Sequence, residues 1–303
     1  MNSIAVMTHP AFSSGRVAVI TGAATGIGLA TAQRLRSFGM KLALADNDEA
    51  ELAAVVKELA STGSAADVIG VPTDVSQLAQ VERLRDRAWQ ELGPVSVLMN
   101  NAGTGLGSGP WERYSEWQRV LEVNLWGVIN GVQAFIPRML EHGKEGLVIN
   151  TGSKQGITCP PGNTAYNVSK AGVKVLTESV QHQLRSTAGC RLTAHLLVPG
   201  WTDTAINRKA ARDRALLEGS DVATLAPPAP RPAGAWTSEQ VVDFLLQAVE
   251  RGDFYILCPD NDVSVALDRK RIAWAAGDLT ENRPPLSRWH SDYAAAFKKF
   301  AES

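Results

Sequence analysis

Residues Val19–Ala30 read VITGAATGIGLA, and the fold turns on this stretch. Gly22, Gly26 and Gly28 stand between a short apolar run, RVAVIT at 16–21, and a segment of helical periodicity, GIGLATAQRLRSFG at 26–39. Strand, glycine turn and helix in that order form the place where a doubly wound fold receives a dinucleotide pyrophosphate. Glycine permits the tight turn and a close backbone approach. The helix start offers free N–H donors and the positive end of its dipole. The spacing is Gly-x3-Gly-x-Gly, not the commoner Gly-x-Gly-x-x-Gly. Thr25 and Ile27 lie inside the loop and join the glycines as expected cofactor contacts.

Outward from this loop the chain alternates strand-like and helix-like segments. Strands are expected at KLALAD (41–46), DVIGVPTD (67–74), VSVLMN (95–100), GLVINT (146–151), RLTAHLLVPG (191–200) and DFYILC (253–258). Helices are expected over 48–62, 76–92, 112–142, 164–187 and 238–252. Repeated β-α units imply an α/β, doubly wound parallel sheet, the Rossmann fold, with about seven strands and helices on both faces. One domain over 15–258 follows a short flexible lead, 1–14. Residues 202–235 are too long and too proline-rich for a plain connection and read as a lid. A C-terminal extension, 259–303, completes the chain. Its helical spacing around Trp274, a proline break, and Trp289, Tyr293, Phe297 and Phe300 predict an ordered, packed segment, since disorder goes with few aromatics.

Composition narrows the function. The 303 residues carry a net charge of -1 with no basic tract, which argues against nucleic acid as a partner. The longest apolar runs are strand-length, against the roughly 20 residues a membrane span needs. The N-terminus has no signal-peptide pattern, so a cytoplasmic location is expected. Cys159, Cys190 and Cys258 are far apart and show no zinc-ligand spacing, so reduced thiols and no metal are expected.

Asp46 ends the second strand, 18 residues after Gly28. A carboxylate there can accept hydrogen bonds from the adenosine ribose of NAD and repels the 2′-phosphate of NADP. Asn47, next in sequence, supplies no positive charge for that phosphate, so NAD is the expected cofactor. Asp74, with Val75 after it, either contacts the adenine edge or caps the following helix.

With these residues in place, the chain resembles the short-chain dehydrogenase/reductase family over roughly 15–258. The likeness rests on TGAATGIG (21–28), NNAG (100–103), Asn124, Ser153 in NTGSKQG, YNVSK (166–170) and PGWTDT (199–204). It departs where TGS stands in place of a common Ser-Ser pair. The resemblance implies that Tyr166 is the general acid/base and Lys170 its electrostatic partner and ribose holder. It further implies that Ser153 binds the substrate oxygen and Asn124 holds a proton-relay water. Asn101 and Gly103 would line the cofactor groove, with Pro199, Gly200, Thr202 and Thr204 at the nicotinamide end. A free tyrosine has a pKa of about 10, so an ammonium one helical turn away and a cationic nicotinamide are needed to make it a base.

The expected reaction is hydride transfer between NAD and a small-molecule secondary alcohol or ketone, hydrophobic or aromatic. Leu106, Gln155, Cys159, Pro161 and Trp201 are the candidate substrate contacts. An NADPH-dependent carbonyl reductase and a non-catalytic dinucleotide sensor are the alternatives. The resemblance also implies a homodimer or homotetramer joined through helices 112–142 and 164–187.

Overall fold

The computed structural model describes residues 9–220 and 230–303. Seven parallel strands form one sheet in the order β3-β2-β1-β4-β5-β6-β7. They are β1 (Val17–Thr21), β2 (Lys41–Asp46), β3 (Val68–Pro72), β4 (Val95–Asn100), β5 (Gly146–Thr151), β6 (Leu192–Val198) and β7 (Tyr255–Leu257). Alternate residues enter opposite cores, as the two-residue pleat requires. Ala18, Ile20, Leu42 and Leu44 face α1 (Gly26–Ser37), α2 (Glu49–Ala60) and α9 (Ser238–Glu250). Val17, Val19, Ala43 and Ala45 face α3 (Leu78–Glu91), α5 (Gly127–His142) and α7 (Thr164–Ser186). Both sheet faces are covered, which explains why β1, β4 and β5 are buried at every residue and read as mostly apolar runs. Strand order reverses between β1 and β4, and loops leaving the strand ends there open a crevice.

The sequence-based segments land on these elements within a few residues, with three differences. Residues 112–142 are not one helix. α4 (Tyr114–Leu121) runs into a π-helical turn, Glu122–Trp126, before α5, and the Gly127 N–H reaches back to the Glu122 carbonyl. Asn124 in that turn is fully buried and clasps the backbone of Thr104, which draws the helix toward the loop after β4. Residues 9–14, taken as the end of a flexible lead, are packed: Ala11 and Phe12 are buried and the His9 N–H bonds Glu250. Residues 1–8 lie outside the described residues. Within the expected lid, Ile206–Leu217 forms a helix, α8, while 221–229 lie outside the described residues.

The extension is ordered, as expected. α10 (Val265–Thr280) and α11 (Ala294–Glu302) meet around Trp274, whose ring is edge-on to Phe297 and Phe300. Its indole N–H donates to Ser287 at 2.8 Å. The extension docks on α6 (Gln155–Thr158), the short helix after Ser153, where Trp289 donates to the Thr158 carbonyl at 3.1 Å. Asn261 also bonds the carbonyls of Ala233 and Ala235, at the end of the expected lid.

A buried ion cluster fixes this docking. The Lys154 ammonium lies 3.2 Å from Asp260 and 2.5 Å from Asp268, with side chains 15%, 6% and 4% exposed. Asp260 also accepts the Trp201 N–H at 3.1 Å. One cation therefore ties the Ser153 loop, the Pro199–Thr202 loop and the extension together. Lys154→Ala would leave buried Asp260 without its cation and Asp268 with only the longer pair to Arg271, at 3.6 Å. We expect a loss of about 3–5 kcal/mol, the usual cost of breaking a buried pair by removing one partner. Urea denaturation measures it; a shift under about 1 kcal/mol, the worth of an exposed ion pair, would show that the cluster is not structural.

Candidate active site

The glycine loop is held by contacts that tolerate no side chain. A Cβ on Gly28 would sit 2.1 Å from the Gly22 carbonyl oxygen and 2.8 Å from Asn101 Nδ2. Gly22 has φ +64°, and a Cβ there would meet Ala102 Cα at 2.8 Å. Asn101 locks the arrangement: its amide donates to the carbonyls of Thr21 and Gly22 and accepts from Thr151 on β5. The start of α1 has no side-chain cap and no acidic residue in its first turn. Uncapped N–H donors behind a glycine loop suit a pyrophosphate, so the residues present fit a dinucleotide.

Two chambers adjoin this loop. The outer one is lined by Asp46, Asp48, Asp74, Val75 and Arg119, and by Lys209 and Arg212 of α8. Asp46 is buried, 4% exposed, and its carboxylate accepts N–H groups of Ala24 and Asp48 at 3.1 and 3.2 Å. The Lys209 ammonium lies 3.1 and 3.2 Å from its two oxygens. Arg212 bonds Asp48, the N-cap of α2. The Glu51 N–H, with Arg212, holds the Asp48 carboxyl below its ordinary value against the effect of burial. Asp74 does not cap α3, whose N-cap is Gln77; its carboxylate accepts the Ser76 N–H and hydroxyl and pairs with Arg119 at 3.4 Å. Burial works to raise Asp74, but those hydrogen bonds and the Arg119 charge outweigh it and hold the carboxyl low.

The inner chamber brings together Thr25, Gly26, Ile27, Gly103, Ser153, Gln155, Tyr166, Lys170, Pro199, Gly200, Trp201, Thr202 and Thr204. Lys170, one turn beyond Tyr166 on α7, is 3% exposed and donates to the Thr151 carbonyl at 2.9 Å. Its ammonium is 5.7 Å from the Tyr166 ring centre. Gly156 lets α6 cross α7 here, since a Cβ would meet the Lys170 carbonyl carbon at 2.4 Å. Burial lowers Lys170 from 10.5 to about 8. Burial raises the Tyr166 phenol, and the hydrogen bond with Ser153 opposes that rise. The lowered tyrosine expected from the sequence is thus not a property of the protein alone. Asn124 accepts from the Thr104 N–H and gives its amide hydrogens to the Thr104 carbonyl and Ser169.

Three expected substrate contacts are not brought to this chamber. Leu106 is fully buried in a separate cluster with Val120, Ala165 and Ala210. Cys159 faces the extension, in a cleft shared with Arg271 and Trp289. Pro161 is exposed on the loop leading into α7. The helical turn at α6 carries Cys159 and Pro161 past the chamber, where an extended loop would have kept them beside it. The sequence reading missed Lys154, Lys209 and Arg212. Lys209 and Arg212 lie three apart, a helical spacing, but nothing in their neighbourhood in sequence announces their acidic partners. Among the described residues no cluster suits a metal ion, and no helix is long and apolar enough to cross a membrane.

Known proteins carry the same architecture. A 1-deoxy-11-beta-hydroxypentalenate dehydrogenase of Streptomyces exfoliatus is 34% identical, across 90% of this chain and 94% of its own. A 3beta-hydroxysteroid dehydrogenase 2 of Eggerthella lenta is 38% identical, across 65% and 75%. The crystal structure of a short chain dehydrogenase/reductase from Burkholderia phymatum in complex with NAD superposes with a TM-score of 0.78 at 35% identity, covering 90% of this chain and 97% of that one. The short chain dehydrogenase family model matches residues 16–215. With the sheet order, glycine loop and inner chamber described above, this match shows that the chain belongs to the short-chain dehydrogenase family of oxidoreductases.

Proposed function

We propose that the protein is an NAD-dependent dehydrogenase of a hydrophobic secondary alcohol, able to reduce the matching ketone. The observation that carries this is the grouping of Ser153, Tyr166 and Lys170 in one chamber that continues past the glycine loop to buried Asp46. Gly22, Thr25, Gly26, Ile27 and Gly103 would line the diphosphate path, with Gly28 setting the close packing beneath it. Asp46 would take the adenosine ribose, and Thr204 with Pro199–Thr202 would border the nicotinamide. Bound oxidised nicotinamide supplies a hydride acceptor and a positive charge.

The chain's own residues manage the proton. Ser153 would hold the substrate oxygen, and Tyr166 would take the hydroxyl proton as hydride leaves carbon. Lys170 would hold the ribose and favour the phenolate. Both Asn124 amide hydrogens are engaged, so its relay role narrows to the backbone of the π turn. Trp201, 52% exposed, and Ile206 give the inner chamber an apolar wall. The Lys154 ammonium, though on the lining, is already paired with two aspartates. An apolar alcohol therefore suits the chamber better than an anionic one. A relative named for a hydroxysteroid supports that class, and one named for a hydroxypentalenate, itself a carboxylate, supports only a hydrophobic alcohol. We also propose a homodimer or homotetramer, since Trp126 in the π turn before α5 and Val168 and Val175 on α7 expose apolar side chains. Sedimentation at micromolar concentration checks it, and a clean monomer would remove it.

A panel of hydrophobic secondary alcohols, hydroxysteroids among them, tests the function through the absorbance of reduced nicotinamide. We expect turnover with NAD at least about tenfold better than with NADP, or about 1.4 kcal/mol. A preference for NADP would transfer the assignment to a carbonyl reductase. Tight NAD binding without turnover on any substrate would indicate a sensor.

Tyr166→Phe should lower turnover by about 10²–10⁴-fold, the usual contribution of a general acid/base, with NAD affinity unchanged by calorimetry. Turnover within about tenfold of wild type would remove the assigned role.

Lys170→Met should lose turnover and weaken NAD binding without destabilising the fold at pH 7. The folded pKa of about 8 lies below the ordinary 10.5. The folded protein therefore binds fewer protons than the unfolded chain across that window, and wild-type stability gains as pH rises through it. The variant lacks this gain. Matched denaturation curves at pH 7 and pH 10 read the difference, and parallel behaviour of the two proteins would refute it.

A further inference from the structure

Lys209 occupies a position that the family pattern does not assign. It lies in the first turn of α8 and is the one charged residue among those lining both chambers, beside Gly22, Ala102 and Gly103. Arg119 and Arg212 line only the outer chamber, and Lys154 and Lys170 only the inner. A dinucleotide that spans both must carry its pyrophosphate across this junction, over the glycine loop. The glycine loop itself offers backbone dipoles there, not a full charge.

Lys209 is also committed elsewhere. Its ammonium touches both oxygens of Asp46, and Ala24 and Asp48 donate to the same two atoms. A carboxylate has about four acceptor positions, and all four are filled. A ribose diol can take Asp46 only if one donor leaves. The two backbone N–H groups are fixed by the β1 turn and the start of α2. The lysine, on a flexible four-carbon stem and 22% exposed, is the donor free to go.

We propose that Lys209 is a cofactor-binding residue that exchanges its salt bridge with Asp46 for one with the cofactor pyrophosphate. This rests on the nicotinamide-dinucleotide reading above. The exchange keeps both charges paired: Asp46 gains the ribose hydroxyls as Lys209 gains the diphosphate. The pair Arg214–Glu116, at 2.9 Å, anchors the far part of α8 to α4, while Arg212–Asp48 anchors its middle to α2. The first turn can therefore shift its side chain without releasing the helix.

Calorimetric titration of wild type and Lys209→Met with NAD, ADP-ribose and adenosine tests this at two salt concentrations. Methionine keeps the aliphatic stem and removes only the charge. We expect the variant to bind NAD and ADP-ribose about tenfold or more weakly, the effect of one charge-assisted contact. Its salt dependence should be shallower, and adenosine binding should be equal to wild type or tighter, because Asp46 is freed. Unchanged or tightened NAD and ADP-ribose binding in the variant would overturn the exchange and make Lys209 only a competitor for Asp46. If wild type prefers NADP, the NAD reading fails while ADP-ribose, which lacks the 2′-phosphate, still reads the exchange. If wild type binds neither NAD nor ADP-ribose, both fall together.

Discussion

The close approach of Gly28 to the Gly22 carbonyl is the constraint from which the rest of the molecule follows. At 2.1 Å from a hypothetical Cβ, it leaves no room for any side chain. It lets α1 start directly behind β1, with its N–H donors facing the crevice. Asn101, from the neighbouring strand, spans this contact and reaches Thr151 on β5. The Thr151 carbonyl in turn receives the Lys170 ammonium. A single chain of hydrogen bonds thus runs from the glycine loop to Lys170 through three strand ends. Asn100 continues it sideways, bonding Asn150, which bonds Thr177 on α7. Through these donations the buried amides tie β4 to β5 and β5 to α7, so they fix register across the sheet switch point as well as filling space.

What the sequence revealed was what depends on local pattern. Glycine spacing, apolar runs and helical periodicity located the seven strands and the main helices, because burial on one or both faces imprints a local period on the residues of each element. Tyr166 and Lys170 were legible because a helix fixes their separation. The π turn at Asn124 was not, because its cause is a tertiary contact with Thr104. Leu106, Cys159 and Pro161 were misplaced for a related reason: loop residues follow strand ends in sequence, but their direction is set by what packs on them. Cys159 adopts φ +42° after a single helical turn, a conformation no pattern of residues around it announces. Lys154 was overlooked since its partners, Asp260 and Asp268, lie more than a hundred residues away.

Asp46 is where sequence and structure complement each other most usefully. The sequence marks it as a ribose acceptor by its distance from the glycines. The structure adds that the site already holds a cation, on a helix that the sequence placed in a lid. A buried carboxylate left bare would be costly, so a protein that must present one to a ligand benefits from an internal stand-in. Lys209 fills that part, and its reach to the loop junction decides how the stand-in can step aside.

Tyr166 and Lys170 pose the matching problem at the other end of the crevice. Burial raises Tyr166 and lowers Lys170, so the same dry surroundings push both toward their neutral forms. A phenolate and an ammonium are each disfavoured in isolation, and the Ser153 hydrogen bond offsets only part of the cost for Tyr166. A further positive charge close to the phenol would favour the phenolate. On the proposed reading, oxidised nicotinamide brings that charge into the inner chamber, and the base forms only when the hydride acceptor is present. At one end a lysine would leave a carboxylate as ribose arrives; at the other a phenol would lose its proton as a cation arrives. In both places the protein holds a neutral or internally paired arrangement that the dinucleotide completes, and this is how a buried, ordered crevice can be stable without its cofactor and competent with it.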